Sequence, residues 1–420
     1  MSAIQACAEA ARTAARQLAL LPDSVRSEAL RRIAKAVRET ADTLLAANRE
    51  DVRLSEEKVR PAAFLDRLRL TPERIEQMAA GMEKVASLPD PLGETIAEWT
   101  RPNGLRIRQV RVPIGVIGFI YESRATVTCD AAALCLKSGN AVILRGGSES
   151  LGSNLVLADI FERELPAAGL PAASVQLLRS GSRDEVLELC ACGGLVDVII
   201  PRGGKGLVST VVEHAKMPVL KHMDGICHTY IDETADLAQA IDIADDAKTQ
   251  RPGVCNAMET LLVHRNIAAD FLPRMAARLA ARGVEIRACA ESLPLMPGSL
   301  PATEEDWRTE YEDLILSVKT VGSLQEAIDH INCYGSHHSD AIITENAEHA
   351  DAFQHGVDSA CVYHNCSTRF SDGEEYGFGA EIGIGTDKLH ARGPMGLREL
   401  TSYQYRVTGS GQVKDPARLA

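Results

Sequence analysis

From the N-terminus to about residue 92, apolar residues recur at helical spacing, as in Leu30, Ile33, Ala34 and Val37, which fall on one face of a helix. This stretch is rich in Ala, Leu, Arg and Glu and carries no reactive constellation, so it reads as helical packing material. Pro89, Pro91, Gly93, Pro102 and Asn103-Gly104 then break the chain. The period-two alternation over 105–112 predicts a hairpin ribbon with an Asn-Gly turn, and its exposed edge would suit subunit pairing. From Gly115 the pattern becomes five short apolar runs, at 115–120, 141–144, 175–178, 195–200 and 217–220, with helical segments near 128–138, 150–167, 183–191 and 205–214 between them. Strands apolar on both sides and alternating with helices predict a doubly wound parallel sheet of the nucleotide-binding type. A second α/β segment follows, with strands at 260–263, 314–318, 341–343 and near 360–363 and helices near 267–281 and 324–332. A glycine-rich last quarter ends in an alternating strand at 403–407.

A chain of 420 residues with 45% hydrophobic content can bury two or three cores. Its net charge of −13, with Lys and Arg scattered rather than clustered, argues against a nucleic-acid partner. Eleven cysteines, an odd number without Cys-x-x-Cys spacing, read as reduced thiols. No run approaches the ~18 apolar residues of a membrane span, and no basic segment followed by an apolar one opens the chain, so the expectation is a cytoplasmic protein without a membrane partner.

The candidate chemistry centres on 250–264, where Cys255 sits between the Pro252-Gly253 turn and an apolar run that starts a strand. A thiol at a loop-to-strand junction can meet a substrate beside outward-pointing amides, although a free cysteine is also an ordinary small core residue. Two strand ends, Arg145-Gly-Gly-Ser148 and Arg202-Gly-Gly-Lys205, are glycine-rich and basic and precede helices, a setting that favours an anion. Neither fits Gly-x-Gly-x-x-Gly or a Gly-Lys-Ser/Thr phosphate loop, so ordinary turns stay open as a reading. His337, His338, Cys361, His364 and Cys366 lack fixed ligand spacing, and no metal is expected. Asn365 and Arg369, beyond the strand near 360–363, are candidates for gripping a carboxylate with a fork of donors.

Taken together, Tyr121-Glu-Ser-Arg124, Leu144-Arg-Gly-Gly147, Lys221-His-Met-Asp-Gly225, Arg251-Pro-Gly-Val-Cys-Asn256, Ser367-Thr-Arg-Phe370 and Gly379-Ala-Glu-Ile-Gly383 resemble the aldehyde dehydrogenase superfamily, and within it the γ-glutamyl phosphate reductase (glutamate-5-semialdehyde dehydrogenase) branch. The resemblance implies an aldehyde dehydrogenase-like α/β fold. A doubly wound cofactor domain would span 1–232 with a C-terminal oligomerisation segment at 386–420, and a second α/β catalytic domain at 233–385 would carry Cys255. It implies NADPH-dependent reduction of L-glutamyl 5-phosphate to L-glutamate 5-semialdehyde and phosphate through a Cys255 thioester, in proline biosynthesis. The acyl phosphate would come from glutamate 5-kinase, and the enzyme would be a homodimer or larger.

By the same resemblance, the Cys255 N–H, Asn256, Ser123 and Thr126 would serve the oxyanion or substrate. Arg145, Gly146 and Ser148 would face the NADP 2′-phosphate, Arg202, Gly203 and Gly204 the pyrophosphate, and Glu310 the nicotinamide ribose. Hydrolytic members carry Glu-Leu-Gly-Gly where this chain has His222-Met-Asp-Gly225, so the water-activating glutamate is missing. The branch's Pro-Asn is replaced by Ala125-Thr126. The runners-up are a hydrolytic or CoA-acylating semialdehyde dehydrogenase, with water or CoA in place of phosphate, and, motivated by that departure, a non-catalytic relative.

Overall fold

Helical periodicity in the first ninety residues is realised as five helices, Ala3–Leu18, Asp23–Glu39, Ala41–Glu57, Ala62–Leu68 and Pro72–Ser87. Ser2 and Gln5 cap the first reciprocally, and Thr71 caps the last ahead of Pro72. Leu30, Ile33, Ala34 and Val37 are all fully buried, as one apolar face requires. These helices belong to the first of two units in a computed structural model that describes residues 2–414. That unit comprises the chain to Leu220 together with 378–383 and the residues from Met395 on. Residues 415–420 of the segment expected to mediate oligomerisation lie outside the described residues.

The unit's sheet has four parallel strands in the order Val175–Leu177, Ala141–Arg145, Val116–Tyr121, Val198–Arg202. Every residue of the central strand Val116–Tyr121 is buried, consistent with cover on both faces. The fifth predicted strand, at 217–220, does not form: only Val219 bridges Ile199. Pro218 has no N–H to give a ladder, which confines this short run to one bridge.

A separate antiparallel sheet joins Thr95–Thr100, Arg106–Pro113 and Thr401–Thr408 in that order. The predicted turn is present, with Gly104 at φ +86°, a conformation that glycine adopts without strain. The alternating ribbon is not an edge, however. Thr401–Thr408 of the same chain covers it, so the edges are 95–100 and 401–408.

The second unit, 221–377 with 384–394, holds a seven-stranded parallel sheet. Its order is Leu300–Pro301, Glu285–Ala288, Ile315–Val321, Met258–His264, Cys227–Ile231, Ser339–Ile343, Cys361–His364. Successive residues point to opposite faces. Ile231 and Leu261 thus pack with the helices Leu237–Thr249 and Arg265–Ala281, while Tyr230 and Leu262 pack with Leu324–Tyr334 and Ala347–Gly356. Among the described residues, no helix is long and apolar enough to cross a membrane.

Candidate active site

Cys255 lies in the turn that feeds Met258–His264, closed by the Ala257 N–H on the Val254 carbonyl at 2.9 Å. It is half-buried, and neither its own N–H nor that of Asn256 donates to an acceptor among the described residues. Gly225 presses on this turn so closely that a Cβ there would stand 2.2 Å from the Cys255 carbonyl oxygen. Only glycine fits. The buried Cys227 thiol donates to the same carbonyl at 3.2 Å, and burial keeps that thiol well above its ordinary pKa, so it is a neutral donor that fixes the turn.

Beyond Gly225 lies Glu310, whose carboxyl is raised in pKa by burial, a rise that the nearby Gly225 amide opposes. Two residues on, Glu312 has φ +53°, a left-handed conformation uncommon for glutamate. The Glu312 N–H donates to Glu259 at 3.3 Å, and a Cβ at Gly253 would touch the Glu312 carbonyl at 3.3 Å. Glu259 in turn meets Lys248 at 2.5 Å, with both side chains essentially inaccessible. Burial raises the Glu259 pKa to about 7 and lowers that of Lys248, while their attraction opposes both shifts. This pair anchors the loop that sets Glu310 beside the Gly225 backbone. Inspection of the sequence missed it, although a glutamate inside the otherwise apolar run 258–263 was a signal that a buried partner was needed.

Arg369 donates to Gln250 at 3.0 Å and to the Asn256 side-chain oxygen. Burial pulls its guanidinium below its ordinary pKa, and the Cys255 and Asp246 charges oppose that fall. Asn256 donates its carboxamide to the carbonyls of Ser371, at 2.9 Å, and Arg369, at 3.3 Å. Its side chain therefore shapes the Arg369 loop and is not available as an oxyanion donor. Asn365, at φ +55°, spends its carboxamide on the N–H and C=O of Thr344, at 2.9 and 3.0 Å.

Asn365 follows the carboxyl end of Cys361–His364, whereas Cys255 precedes the amino end of Met258–His264. Arg369 is thus held against Asn256, the neighbour of Cys255, while the Asn365 carboxamide is engaged by Thr344. His222 Nδ1 stands 3.1 Å from the Ile384 carbonyl, and its ring meets His338 edge to face.

In the first unit, the strand register sets Arg145 beside Ile120 and Arg202 beside Tyr121, so both basic strand ends flank the carboxyl end of the central strand. Ser123, at φ +53°, gives its N–H and its hydroxyl to one oxygen of Glu149, each at 2.8 Å. Thr126 opens the helix Thr126–Lys137. Glu122 accepts the Gly204 N–H at 2.9 Å, and Gly204 caps the helix Lys205–His214. A Cβ at Gly203 would collide with Glu122, and one at Gly146 with Asn154 and Tyr121, so these glycines serve close packing.

Arg145 is buried, donating to the carbonyls of Gly181 and Ser182 at 3.1 and 2.9 Å. Its Nε finds no partner, and the nearest carboxylate, Glu185, is 3.9 Å away. Ser148 is exposed beside Gly181, and Gly206 faces open space at the start of its helix. Basic strand ends, an exposed serine and an open helix start fit the phosphates of a dinucleotide. Arg145 would act there through its charge, because its guanidinium already holds the 181–182 turn.

The model of the aldehyde dehydrogenase family matches residues 1–288. The chain is 53% identical over 411 residues to a γ-glutamyl phosphate reductase of Moorella thermoacetica, covering 98% of each. It is 50% identical over 411 residues to one of Thermoanaerobacter pseudethanolicus, covering 98% of this chain and 99% of the relative. The crystal structure of γ-glutamyl phosphate reductase from Thermotoga maritima superposes with a TM-score of 0.97 at 45% identity, covering 99% of this chain and all of the other. Similarity over this length, together with the Cys255 turn and the basic strand ends, has one reading: the chain belongs to the aldehyde dehydrogenase family and, within it, to the γ-glutamyl phosphate reductases.

Proposed function

We propose that this enzyme reduces L-glutamyl 5-phosphate to L-glutamate 5-semialdehyde and phosphate, with Cys255 as the nucleophile. The observation that carries this reading is the Cys255 turn, where a half-buried thiol lies beside two amides that have no acceptor among the described residues. The thiolate attacks the γ-acyl carbon, and the Cys255 and Asn256 N–H groups receive the oxyanion that forms. Collapse of that oxyanion breaks the carbon–oxygen bond to phosphate and leaves a thioester. Arg369, held by Gln250 and Asn256, supplies positive charge for the anionic substrate. NADPH, when bound by Arg145, Ser148 and the 202–204 strand end, supplies the hydride that carries the thioester to the aldehyde. The 222–225 segment has no glutamate at its start, so water goes unactivated and phosphate is the acyl partner. The acyl phosphate would be delivered by glutamate 5-kinase. In the reverse direction, L-glutamate 5-semialdehyde and NADP⁺ should give NADPH only when inorganic phosphate is present; turnover indifferent to phosphate would contradict the reading.

Position 148 carries a neutral, exposed serine rather than an acidic side chain. Replacing Ser148 by Glu sets a like charge against the 2′-phosphate and should weaken NADPH about tenfold or more, with NADH little changed. Titration of the variant with both cofactors checks this, and an unaltered ratio would reassign the pocket.

The three-stranded sheet leaves Tyr403, Tyr405 and Val407 each more than half exposed on an edge strand. Folded proteins normally cover such an edge, so the enzyme is expected to be at least a homodimer. Sedimentation at micromolar concentration should show the dimer, and a chain lacking 402–420 should sediment as a monomer. A monomeric full-length protein would refute this expectation.

A further inference from the structure

A groove of about 730 Å³ lies wholly within the second unit, at the carboxyl ends of its central strands. The packing of the two sheet faces explains why it is there. The helix after Met258–His264 covers one face, and the helix after the neighbouring strand Ile315–Val321 covers the other. The neighbours Cys227–Ile231 and Ser339–Ile343 send their helices apart in the same way. Such a divergence leaves a crevice beyond the strand ends, and open α/β sheets bind their ligands there. Cys255 precedes the amino end of Met258–His264, so the chemistry assigned to it leaves this crevice unused.

Two histidines in fixed tautomers line the groove. His264 is more than nine-tenths buried, and its Nδ1 accepts the Asn266 N–H at 3.2 Å, capping the helix Arg265–Ala281. A neutral ring that accepts through Nδ1 carries its proton on Nε2. That N–H reaches solvent and has no acceptor among the described residues. His349 is held in the opposite sense. Its Nδ1 lies 3.1 and 3.0 Å from the two oxygens of the enclosed Asp232, so Nδ1 donates. The Nε2 of the neutral ring is then an acceptor, again without a partner among the described residues. Ile231 pairs with Val263, which puts Asp232 and His264 on adjacent strand ends. A buried donor left without an acceptor costs stability, and a ligand that supplies one recovers that cost.

We propose that this groove binds a neutral nucleoside, with the ribose diol set between the His264 donor and the His349 acceptor. The rest of the lining selects that class. Its carboxylates are Asp232, Glu233 and Asp329, against the permanent cation Arg265, which Glu291 already holds at 3.1 Å. A phosphate or carboxylate would therefore enter net negative charge. Nor do the acids converge on a metal ion, since no group of three such ligands does so among the described residues. Hydroxyls suit every one of these groups, because an O–H both donates and accepts. Leu324, Ile328 and Ala352 give the groove an apolar side on which a flat base can pack, and a sugar alone would leave that side bare. The volume lies within the roughly 300–1,000 Å³ of small-molecule sites. The inference is independent of the reaction proposed for Cys255.

The test titrates adenosine, 2′,3′-dideoxyadenosine and AMP into enzyme saturated with NADP⁺, by calorimetry or, for weak binding, by saturation-transfer NMR. Adenosine should bind, and the dideoxy analogue should bind about tenfold more weakly or worse, because it lacks both hydroxyls. AMP should also bind more weakly than adenosine, the reverse of what a basic strand end gives, and added salt should narrow that gap. Two substitutions remove the groove-facing nitrogens alone. In His264→Asn the carboxamide oxygen can replace Nδ1 as the helix cap, and in His349→Asn the carboxamide N–H can still donate to Asp232. Each should weaken adenosine about tenfold, with the thermal midpoint and turnover close to wild type. Should a variant not fold, the order of the three probes in wild type decides. No binding of adenosine at millimolar concentration, equal binding of the dideoxy analogue, tighter binding of AMP, or affinities unchanged in both variants would overturn the assignment.

Discussion

Replacing Cys255 by Ser is expected to lower kcat by about 10⁴-fold or more while cofactor binding and thermal stability stay close to wild type. A serine hydroxyl is far less ionised at neutral pH than a thiol, and among the described residues no side chain hydrogen-bonds the Cys255 thiol to act as a general base. The fold should tolerate the change, since the side chain is half-buried in a turn held by backbone contacts. Steady-state rates, cofactor titration and a melting curve check the three parts of this statement. Cys227→Ser is the matching control: its hydroxyl can still donate to the Cys255 carbonyl, so turnover should survive. Brief labelling with iodoacetamide should modify Cys255 in a substrate-protected manner. Exposed Cys333, the natural competitor for the reagent, should show no such protection.

Lys248→Met is expected to destabilise the second unit by about 3–5 kcal/mol, because it strands the Glu259 carboxylate where neither side chain of the pair reaches solvent. The same loss should reach the chemistry. Glu259 receives the Glu312 N–H, Glu312 holds a left-handed conformation, and Glu310 two residues earlier lies near the Gly225 amide, whose residue packs on Cys255. Releasing that loop should therefore lower kcat/KM in protein that is still folded. Lys248→Met combined with Glu259→Leu should recover much of the stability, since no orphan charge remains, but should not recover activity. Denaturant unfolding of the single and double variants, beside their kinetics, separates the two effects. A single variant that unfolds like wild type would mean that the pair carries no such weight.

How much of this was legible in advance depended on whether a residue's role was set locally. The runs at 115–120 and 141–144 read correctly because strands buried on both faces are continuously apolar, and the Cys255 turn was marked by Pro252-Gly253. Cys227–Ile231 escaped notice because His228 and Thr229 interrupt its apolar pattern. Only the fold supplies the Asp340 carboxylate, 2.8 Å from the His228 ring, that permits burial. The ribbon's partner was equally hidden, since alternation at 105–112 carries no sign that residues 401–408 return to cover it. Asn256 and Asn365 were placed by residue type and position, but direction decides function. Each carboxamide points at backbone groups that reach it only through tertiary structure. Lys248 and Glu259 lie eleven residues apart on a helix and a strand, so their meeting was set by packing.

The proposed chemistry requires a covalent acyl group at Cys255 that is shared with phosphate. Mixing the enzyme with L-glutamyl 5-phosphate in the absence of NADPH, quenching in acid and mapping the peptides by mass spectrometry tests that directly. The expected result is a single glutamyl adduct on the peptide bearing Cys255, lost on addition of either inorganic phosphate or NADPH and absent in Cys255→Ser. An adduct on another residue, or one that water clears as fast as phosphate does, would contradict it.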